Sequence, residues 1–175
     1  MKEESKSKTL IFGIGNVGRQ DDGLGWIFLD YLQNEHMEAV VDIQYRYQLQ
    51  IEDAELIRNY DRVIFIDACK SEIKNGFCFK PIEPTEDHGF STHALVPETI
   101  IFLTGNLYDH HPEAFILGIQ GFDWNLEMGI TDPAYKNYLK AINFFVDHKD
   151  EIIDPKKELT ALIQTGEPTG PKTTN

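Results

Sequence analysis

Short apolar runs alternate with amphipathic stretches along the chain, and this alternation predicts an α/β domain. Apolar runs over residues 9–15, 39–45 and 61–68 predict strands. The run over residues 61–68 is uninterrupted, so we expect that strand at the centre of the sheet, with cover on both faces. Another buried strand is expected within residues 113–121. Residues 77–82 alternate apolar and polar side chains, which predicts a half-exposed strand near an edge.

Helices are predicted where apolar positions recur three and four residues apart. The first begins near Asp22, and its apolar face consists of Leu24, Ile27, Phe28, Tyr31 and Leu32. A shorter and weaker helix is expected over residues 51–59. Each of these helices follows a predicted strand, which is the order typical of a mainly parallel sheet between helices.

Two further helices are predicted towards the end of the chain. One covers residues 96–103, with Pro97 in its first turn and Gly105 just past its end, the asymmetry that helices prefer. The other begins at Asp132 as its N-cap. Its buried stripe is expected to consist of Tyr135, Tyr138, Leu139, Ile142 and Phe145 or Val146.

The pattern predicts one domain over residues 9–153. Residues 1–8 are expected to be a flexible N-terminus and residues 154–175 a polar, mobile tail. The length of 175 residues fits a single domain. No run approaches the ~20 apolar residues of a membrane helix.

The composition excludes some classes of binding partner and indicates the cellular compartment. There are 16 basic and 29 acidic side chains, a net charge of −13, so the chain repels nucleic acid and anionic membranes. Two cysteines, Cys69 and Cys78, make no disulfide framework, and the polar start has no apolar core of a secretory signal. We expect a cytoplasmic protein and a monomer.

Three side chains are candidates for a metal site. Asp22 follows the first predicted strand and Asp67 ends the central one, and ligands of open α/β sheets bind beyond such strand ends. His93 lies just before a predicted helix. Two carboxylates and an imidazole would form an open site of mixed oxygen and nitrogen ligands. Alternatively, Asp67 accepts backbone N–H groups and His93 is a surface residue.

Other functional interpretations are weaker. Gly13, Gly15 and Gly18 match the dinucleotide-binding pattern, but the helix begins near Asp22 instead of at the glycines, and two aspartates would repel a diphosphate. Cys69 could act as a nucleophile with a histidine base, but cysteines are more often simply buried. Asp21 and Asp22 as a proton-sharing pair would need a facing geometry that sequence neighbours rarely adopt.

Five segments of the chain carry a resemblance to a known family. They are FGIGNVGRQDDGLG over residues 12–25, VIFIDA over 63–68, STH over 91–93, and ILGIQ with GITDP over 116–120 and 129–133. In this order and spacing they resemble the hydrogenase maturation endopeptidases, over about residues 9–148. The resemblance implies a phosphorylase/hydrolase-like α/β fold. It also implies an endopeptidase that removes a C-terminal extension from the large-subunit precursor of a nickel-iron hydrogenase after nickel insertion.

The resemblance also implies which residues bind the metal ion, and the sequence departs from the family pattern at one loop. The three metal ligands of the family correspond to Asp22, Asp67 and His93, which are therefore the expected catalytic and metal-binding residues. The expected ion is nickel, that of the substrate, although other divalent ions could occupy the site. Residues 45–50, YRYQLQ, replace a glycine-rich loop that is thought to select the precursor, and they resemble a variant subgroup. A non-catalytic assembly chaperone and a dinucleotide-binding module stay open as alternatives.

Overall fold

The computed structural model describes residues 8–86 and 95–167, which form a five-stranded sheet with helices on both faces. The strands are β1 Thr9–Ile14, β2 Asp42–Arg46, β3 Arg62–Cys69, β4 Phe77–Pro81 and β5 Glu113–Gln120. The helices are α1 Leu24–Asn34, α2 Glu52–Ile57, α3 Pro97–Tyr108 and α4 Asp132–Ile152. None of the helices in these two ranges is long and apolar enough to cross a membrane.

The strand order is β2-β1-β3-β5-β4, and every pair is parallel except β4 with β5. β3 is therefore the central strand, as the uninterrupted apolar run predicts, and β4 is an edge strand. The predicted α/β class with a mainly parallel sheet is confirmed. β2 begins later than predicted, at Asp42, because Met37–Ala39 forms a 3₁₀ turn before it.

The alternation of side chains along β3 divides the core into two layers. Ile64 and Ile66 lie in the layer that the sheet forms with α1 and α4. Val63 and Phe65 lie in the opposite layer, with α2 and α3. Full burial of such a side chain is worth about 1.5 to 3 kcal/mol. Asp67 and Cys69 lie on the same face of β3 as Val63 and Phe65, beyond the apolar core.

α3 is longer than the sequence predicts. It continues through Gly105 to Tyr108, and its C-cap is Asp109 in the left-handed conformation, with φ of 50°. An aspartate is one of the few residues other than glycine that adopts this conformation readily. The prediction that the helix stops before Gly105 is therefore wrong, because glycine does not supply the cap.

α4 differs from the prediction at its cap and on its buried face. Thr131 is the N-cap, and Asp132 is the first helical residue. The sheet-facing side is rotated towards the small residues Ala134 and Ala141, which allow close packing. As predicted, Tyr138, Ile142 and Phe145 are buried, but Tyr135, Leu139 and Val146 are exposed.

The segment after α4 packs along the sheet as far as residue 167. Leu159 is buried, and Gln164 exchanges two backbone hydrogen bonds of 2.8 Å with Phe79 on the edge strand β4. The described part of the predicted tail thus has defined contacts, while its mobility stays a prediction. Residues 168–175, and residues 1–7 of the predicted flexible N-terminus, lie outside the described residues.

Candidate functional site

The carboxyl ends of β1, β3 and β5 meet at one edge of the sheet, and two loops extend from this edge. The first loop, residues 15–23, follows β1 and ends in a 3₁₀ turn over Gln20–Gly23. The 121–131 loop follows β5 and leads into α4. This is the edge at which open α/β sheets bind their ligands.

The glycines around the first loop allow close backbone packing. Gly15 has φ of 142°, and a Cβ atom there would lie 1.9 Å from the carbonyl oxygen of Asp22. A Cβ at Gly25 would lie 2.5 Å from the carbonyl oxygens of Ile14 and Ile66. The glycine-rich motif therefore lets α1 begin directly against the ends of β1 and β3, which places Asp22 at the edge of the sheet.

Three backbone N–H groups in the glycine-rich part of the first loop already have partners. That of Gly15 donates to the Arg46 carbonyl at 3.0 Å, and that of Asn16 donates to the Asp22 carbonyl at 3.1 Å. The Gly18 N–H donates to the Asn16 side chain at 2.8 Å. These amides do not form the open cradle that a diphosphate requires, and α1 begins only at Leu24. The geometry therefore disfavours the dinucleotide-binding alternative.

Asp22 lies in the 3₁₀ turn and is partly buried. Burial raises the pKa of its carboxyl group, while the charges of Arg19 and Lys70 and a hydrogen bond from the Asn16 N–H act in the opposite direction. Burial without full neutralisation leaves this carboxylate in need of a positive partner.

Asp67 lies on β3, opposite Gly118 of β5. Burial raises the pKa of its carboxyl group to about 7, against a hydrogen bond from the Ala68 N–H, and the negative charge of Asp22 raises it further. The Ala68 N–H lies 2.8 Å from Asp67 Oδ1. The sheet edge thus brings Asp22 and Asp67 within electrostatic reach of each other, and two such carboxylates fit a divalent cation.

The described residues supply two of the three predicted ligands. His93 lies in residues 87–94, outside the described residues. Within residues 8–86 and 95–167, no group of three or more His, Cys, Asp or Glu side chains is arranged to hold a metal ion. The two aspartates fit a metal site as a partial ligand set, and the role of His93 stays a prediction.

Asp21 has a role that the sequence did not indicate. Its side chain is fully buried, with 0% exposure, and its carboxylate accepts hydrogen bonds from the N–H groups of Phe122, Asp123 and Thr131 at 2.7, 3.0 and 2.8 Å. The Thr131 hydroxyl donates a fourth, at 2.8 Å. Asp21 therefore joins the two loops. Its partners lie 101 to 110 residues further along the chain, where no local pattern could reveal them.

The pKa of Asp21 is shifted in the direction opposite to that of Asp22. Burial acts to raise this pKa, but the hydrogen bonds from Thr131, Asp123 and Phe122 outweigh it, and the net effect is a lowered pKa. Asp21 is thus held as a carboxylate by protein donors. This arrangement does not support a proton-sharing pair with Asp22.

Cys69 has the wrong environment for a nucleophile. Burial raises the pKa of its thiol to about 12, and Cys78 and Asp67 raise it further, against a smaller effect of Lys80. The reactive form of cysteine is the thiolate, which is scarce at neutral pH with such a pKa. The structure therefore favours the interpretation of Cys69 as a structural residue.

Solved structures show which known proteins share this fold. The hydrogenase maturating endopeptidase HybD from E. coli is 15% identical, with a TM-score of 0.61 over 83% of this chain and 94% of that one. The nickel-iron hydrogenase maturation protease HycI from Thermococcus kodakarensis KOD1 is 20% identical, with a TM-score of 0.62 over 83% and 95%. A hydrogenase 3 maturation protease is 16% identical, with a TM-score of 0.63 over 94% and 100%. The chain has the fold of the hydrogenase maturation endopeptidases.

Comparison with family models and with curated proteins does not detect this likeness. No model of a protein family matches the chain, and no curated protein matches it. The likeness to the maturation endopeptidases therefore rests on the structure and on the short sequence segments that resemble this family.

The segment after β2, where the sequence departs from the maturation endopeptidases, is folded against α1 and α2. Arg46 forms an ion pair with the buried Asp53, at 3.0 Å. Leu49 is buried, whereas Tyr47 is exposed and packs its ring 4.8 Å from that of Trp26. The segment therefore presents an aromatic surface close to the first loop, because Trp26 lies in the first turn of α1.

Proposed function

We propose that this protein is an endopeptidase that removes a C-terminal extension from the large-subunit precursor of a nickel-iron hydrogenase after nickel insertion. The observation that carries the proposal is the pair Asp22 and Asp67 at the ligand-binding edge of a fold shared with hydrogenase maturation proteases. The same two residues belong to the segments that resemble this family.

Asp22, Asp67 and His93 would hold the ion. Oxygen and imidazole ligands suit a borderline divalent metal and leave positions open for the precursor. If the ion is the precursor's own nickel, these ligands would recognise a nickel-loaded precursor. If it is another bound ion, it would polarise the scissile carbonyl group as a Lewis acid. The positive charges of Arg19 and Lys70 partly offset the negative charge of the Asp22 carboxylate, and they act against the burial that raises its pKa.

Other protease mechanisms lack support. The sequence has no HExxH motif, and the raised pKa of Cys69 disfavours a cysteine nucleophile. The chain's own residues would therefore position the scissile peptide bond of the precursor close to Asp22 and Asp67. A water molecule would attack the carbonyl carbon of that bond.

The decisive experiment is mass spectrometry of a co-expressed large-subunit precursor, with and without nickel and with and without this protein. We expect loss of a C-terminal segment only when both are present. Asp22→Asn, Asp67→Asn and His93→Ala should abolish trimming while the protein stays folded. Asp150→Asn, which changes an exposed carboxylate near the carboxyl end of α4, is the matched control and should trim normally.

The outcomes separate the alternatives. Trimming by any of the three variants at the normal rate would show that the proposed site is wrong. Binding of the precursor by the wild type without any shortening would identify an assembly chaperone instead of a peptidase.

A further inference from the structure

The 121–131 loop exposes large apolar side chains beside the candidate site. Leu126 is 87% exposed, Met128 72% and Phe122 44%. Single apolar residues on a surface are common, but these three lie on one short loop and belong to neither hydrophobic core cluster of residues 8–86 and 95–167. We refer to Phe122, Leu126 and Met128 as the apolar tip.

The loop that carries the apolar tip is held at both ends and in its middle. Asp21 accepts hydrogen bonds from the N–H groups of Phe122 and Thr131, at 2.7 and 2.8 Å. The Gln20 N–H donates to the Glu127 carbonyl at 2.9 Å, and the Asp21 N–H donates to the Asp123 carbonyl at 3.1 Å. The apolar side chains are therefore presented by an ordered backbone, which reduces the entropy lost when a partner binds.

The same contacts determine where the loop lies. Gln20 and Asp21 immediately precede Asp22 in the 3₁₀ turn, and both hold the 121–131 loop. Trp124, in the middle of the loop, packs against the Lys70 ammonium, 5.2 Å from the ring centroid. Lys70 also acts on the charge of Asp22. A polypeptide whose peptide bond reached Asp22 would therefore pass close to the apolar tip.

The charge of the loop indicates what it binds. Residues 121–135 contain Asp123, Glu127 and Asp132 and no lysine or arginine, and all three acidic residues are exposed. No ion pair within the described residues involves Asp123, Glu127 or Asp132. An apolar surface with unpaired acidic neighbours is complementary to an apolar segment with basic neighbours.

We propose that the 121–131 loop is a docking element for the precursor. It binds a segment in which an apolar side chain is flanked by lysine or arginine, with the apolar side chain against Leu126 and Met128 and the basic groups near Asp123 and Glu127. This inference rests on the proposed function, because it names the contact by which that substrate is held.

The test measures binding of the nickel-free large-subunit precursor by biolayer interferometry, under conditions where no trimming is expected. Leu126→Ser with Met128→Ser should weaken binding at least tenfold. In trimming assays with the nickel-loaded precursor, the same double variant should raise KM at an unchanged kcat. Because both side chains are exposed, the substitutions should not change the thermal unfolding temperature.

A matched control uses two other exposed leucines. Leu107, on α3, is 54% exposed and Leu139, on α4, is 43% exposed. Leu107→Ser with Leu139→Ser should bind the precursor like the wild type. A separate charge variant, Asp123→Lys with Glu127→Lys, should also weaken binding and reduce its dependence on salt.

Each outcome decides a different question. Wild-type affinity in the Leu126 and Met128 double variant would overturn the docking proposal, whether or not trimming occurs. Binding that depends on the apolar tip, but is never followed by trimming, would overturn the proposed function and leave the docking element. A wild-type dimer in sedimentation analysis that the double variant dissociates would show instead that the apolar tip joins two copies of this chain.

Discussion

The Asp21 carboxylate accepts two hydrogen bonds from Thr131, one from its backbone N–H and one from its hydroxyl group, both at 2.8 Å. We predict that Asp21→Asn lowers the free energy of unfolding by about 2 to 4 kcal/mol, since a fully buried carboxylate that accepts several N–H groups is replaced by an amide that satisfies fewer of them. Urea denaturation measures the change. Hydrogen exchange should also be faster in the 121–131 loop.

The control for Asp21 is Asp123→Asn, an exposed position on the same loop, which should change the free energy of unfolding by about 0.5 kcal/mol or less. The pH dependence gives a second check. The pKa of Asp21 is lowered in the folded protein, so its contribution is present above about pH 4 and is lost as the pH falls below that value. If Asp21→Asn lost stability below about pH 4 to the same extent as the wild type, the role given to Asp21 would be contradicted.

Asp67 should have the opposite pH dependence. Its pKa rises from 3.8 to about 7 on folding, so between these values the folded protein holds a proton that the unfolded chain releases. The metal-free protein should therefore lose stability as the pH rises through this window, by up to about 4 kcal/mol. Urea denaturation of the wild type and Asp67→Asn, compared from pH 4 to pH 8, isolates this contribution.

A divalent ion should reverse the destabilisation that Asp67 causes. Adding Zn²⁺ or Ni²⁺ at pH 7.5 should raise the unfolding temperature of the wild type, because a ligand that binds only the folded state stabilises it. Asp67→Asn and Asp22→Asn should show a much smaller rise. An equal rise in Asp22→Asn and the wild type would place the ion elsewhere in the protein.

The sequence was sufficient to predict that β3 is the central strand and that β4 lies near an edge. The apolar run of β3 is uninterrupted because both faces of that strand are covered, whereas apolar and polar residues alternate in β4 because one of its faces is more exposed. Helix ends were harder to predict, because they depend on caps. α3 ends at Asp109 in a left-handed conformation, and α4 begins after Thr131, neither of which periodicity reveals.

The candidate site was predictable only in part, for a similar reason. Asp22 follows β1, and Asp67 lies two residues before the carboxyl end of β3 instead of ending the strand as the sequence predicts. The rule for ligand sites at the carboxyl ends of parallel strands indicates both of them. The sequence indicated Asp21 only as a possible partner of Asp22, and its role in joining the two loops was not predictable because its contacts are with residues more than 100 positions away. The exposure of Leu126 was equally hidden, since an apolar residue in a loop can be buried or exposed depending on the packing around it.

The segment after β2 should affect the choice of precursor through Tyr47. The family resemblance implies that residues 45–50 help to select the precursor. We therefore expect that replacing residues 47–49 changes the accepted precursor more than it changes metal binding, and Tyr47 and Leu49 should differ in their effects. Tyr47 is 64% exposed and packs on Trp26, so Tyr47→Ser should alter the KM for precursors with little loss of stability. Leu49→Ser should instead destabilise the fold by about 3 kcal/mol, since Leu49 is buried.

A tyrosine of α4 is the control for Tyr47. Tyr135 is also exposed and packs on another aromatic ring, that of Tyr138, so Tyr135→Ser removes a similar contact on another element. It should leave precursor selection unchanged. Equal loss of metal binding and of precursor selection in Tyr47→Ser would show that this segment supports the metal site itself.

Arg62 should be important for stability without taking part in function. Its side chain is fully buried at the start of β3, where it binds Glu113 at 2.7 Å and donates to the carbonyl oxygens of Ile152 and Asp154. We expect Arg62→Met to lower the free energy of unfolding by about 3 to 5 kcal/mol, because these acceptors would lose their donor. Urea denaturation would measure it.

Arg58 provides the comparison for Arg62. It forms an exposed ion pair with Glu55 at 3.8 Å and lies over the ring of Tyr108, so Arg58→Met should change the free energy of unfolding by about 1 kcal/mol or less. Because Arg62 lies at the amino end of β3 and Asp67 near its carboxyl end, Arg62→Met should leave the affinity for Zn²⁺ unchanged below its unfolding temperature. Loss of that affinity in the folded variant would show that the two ends of β3 are coupled, and that the stability of the central strand contributes to the geometry of the site.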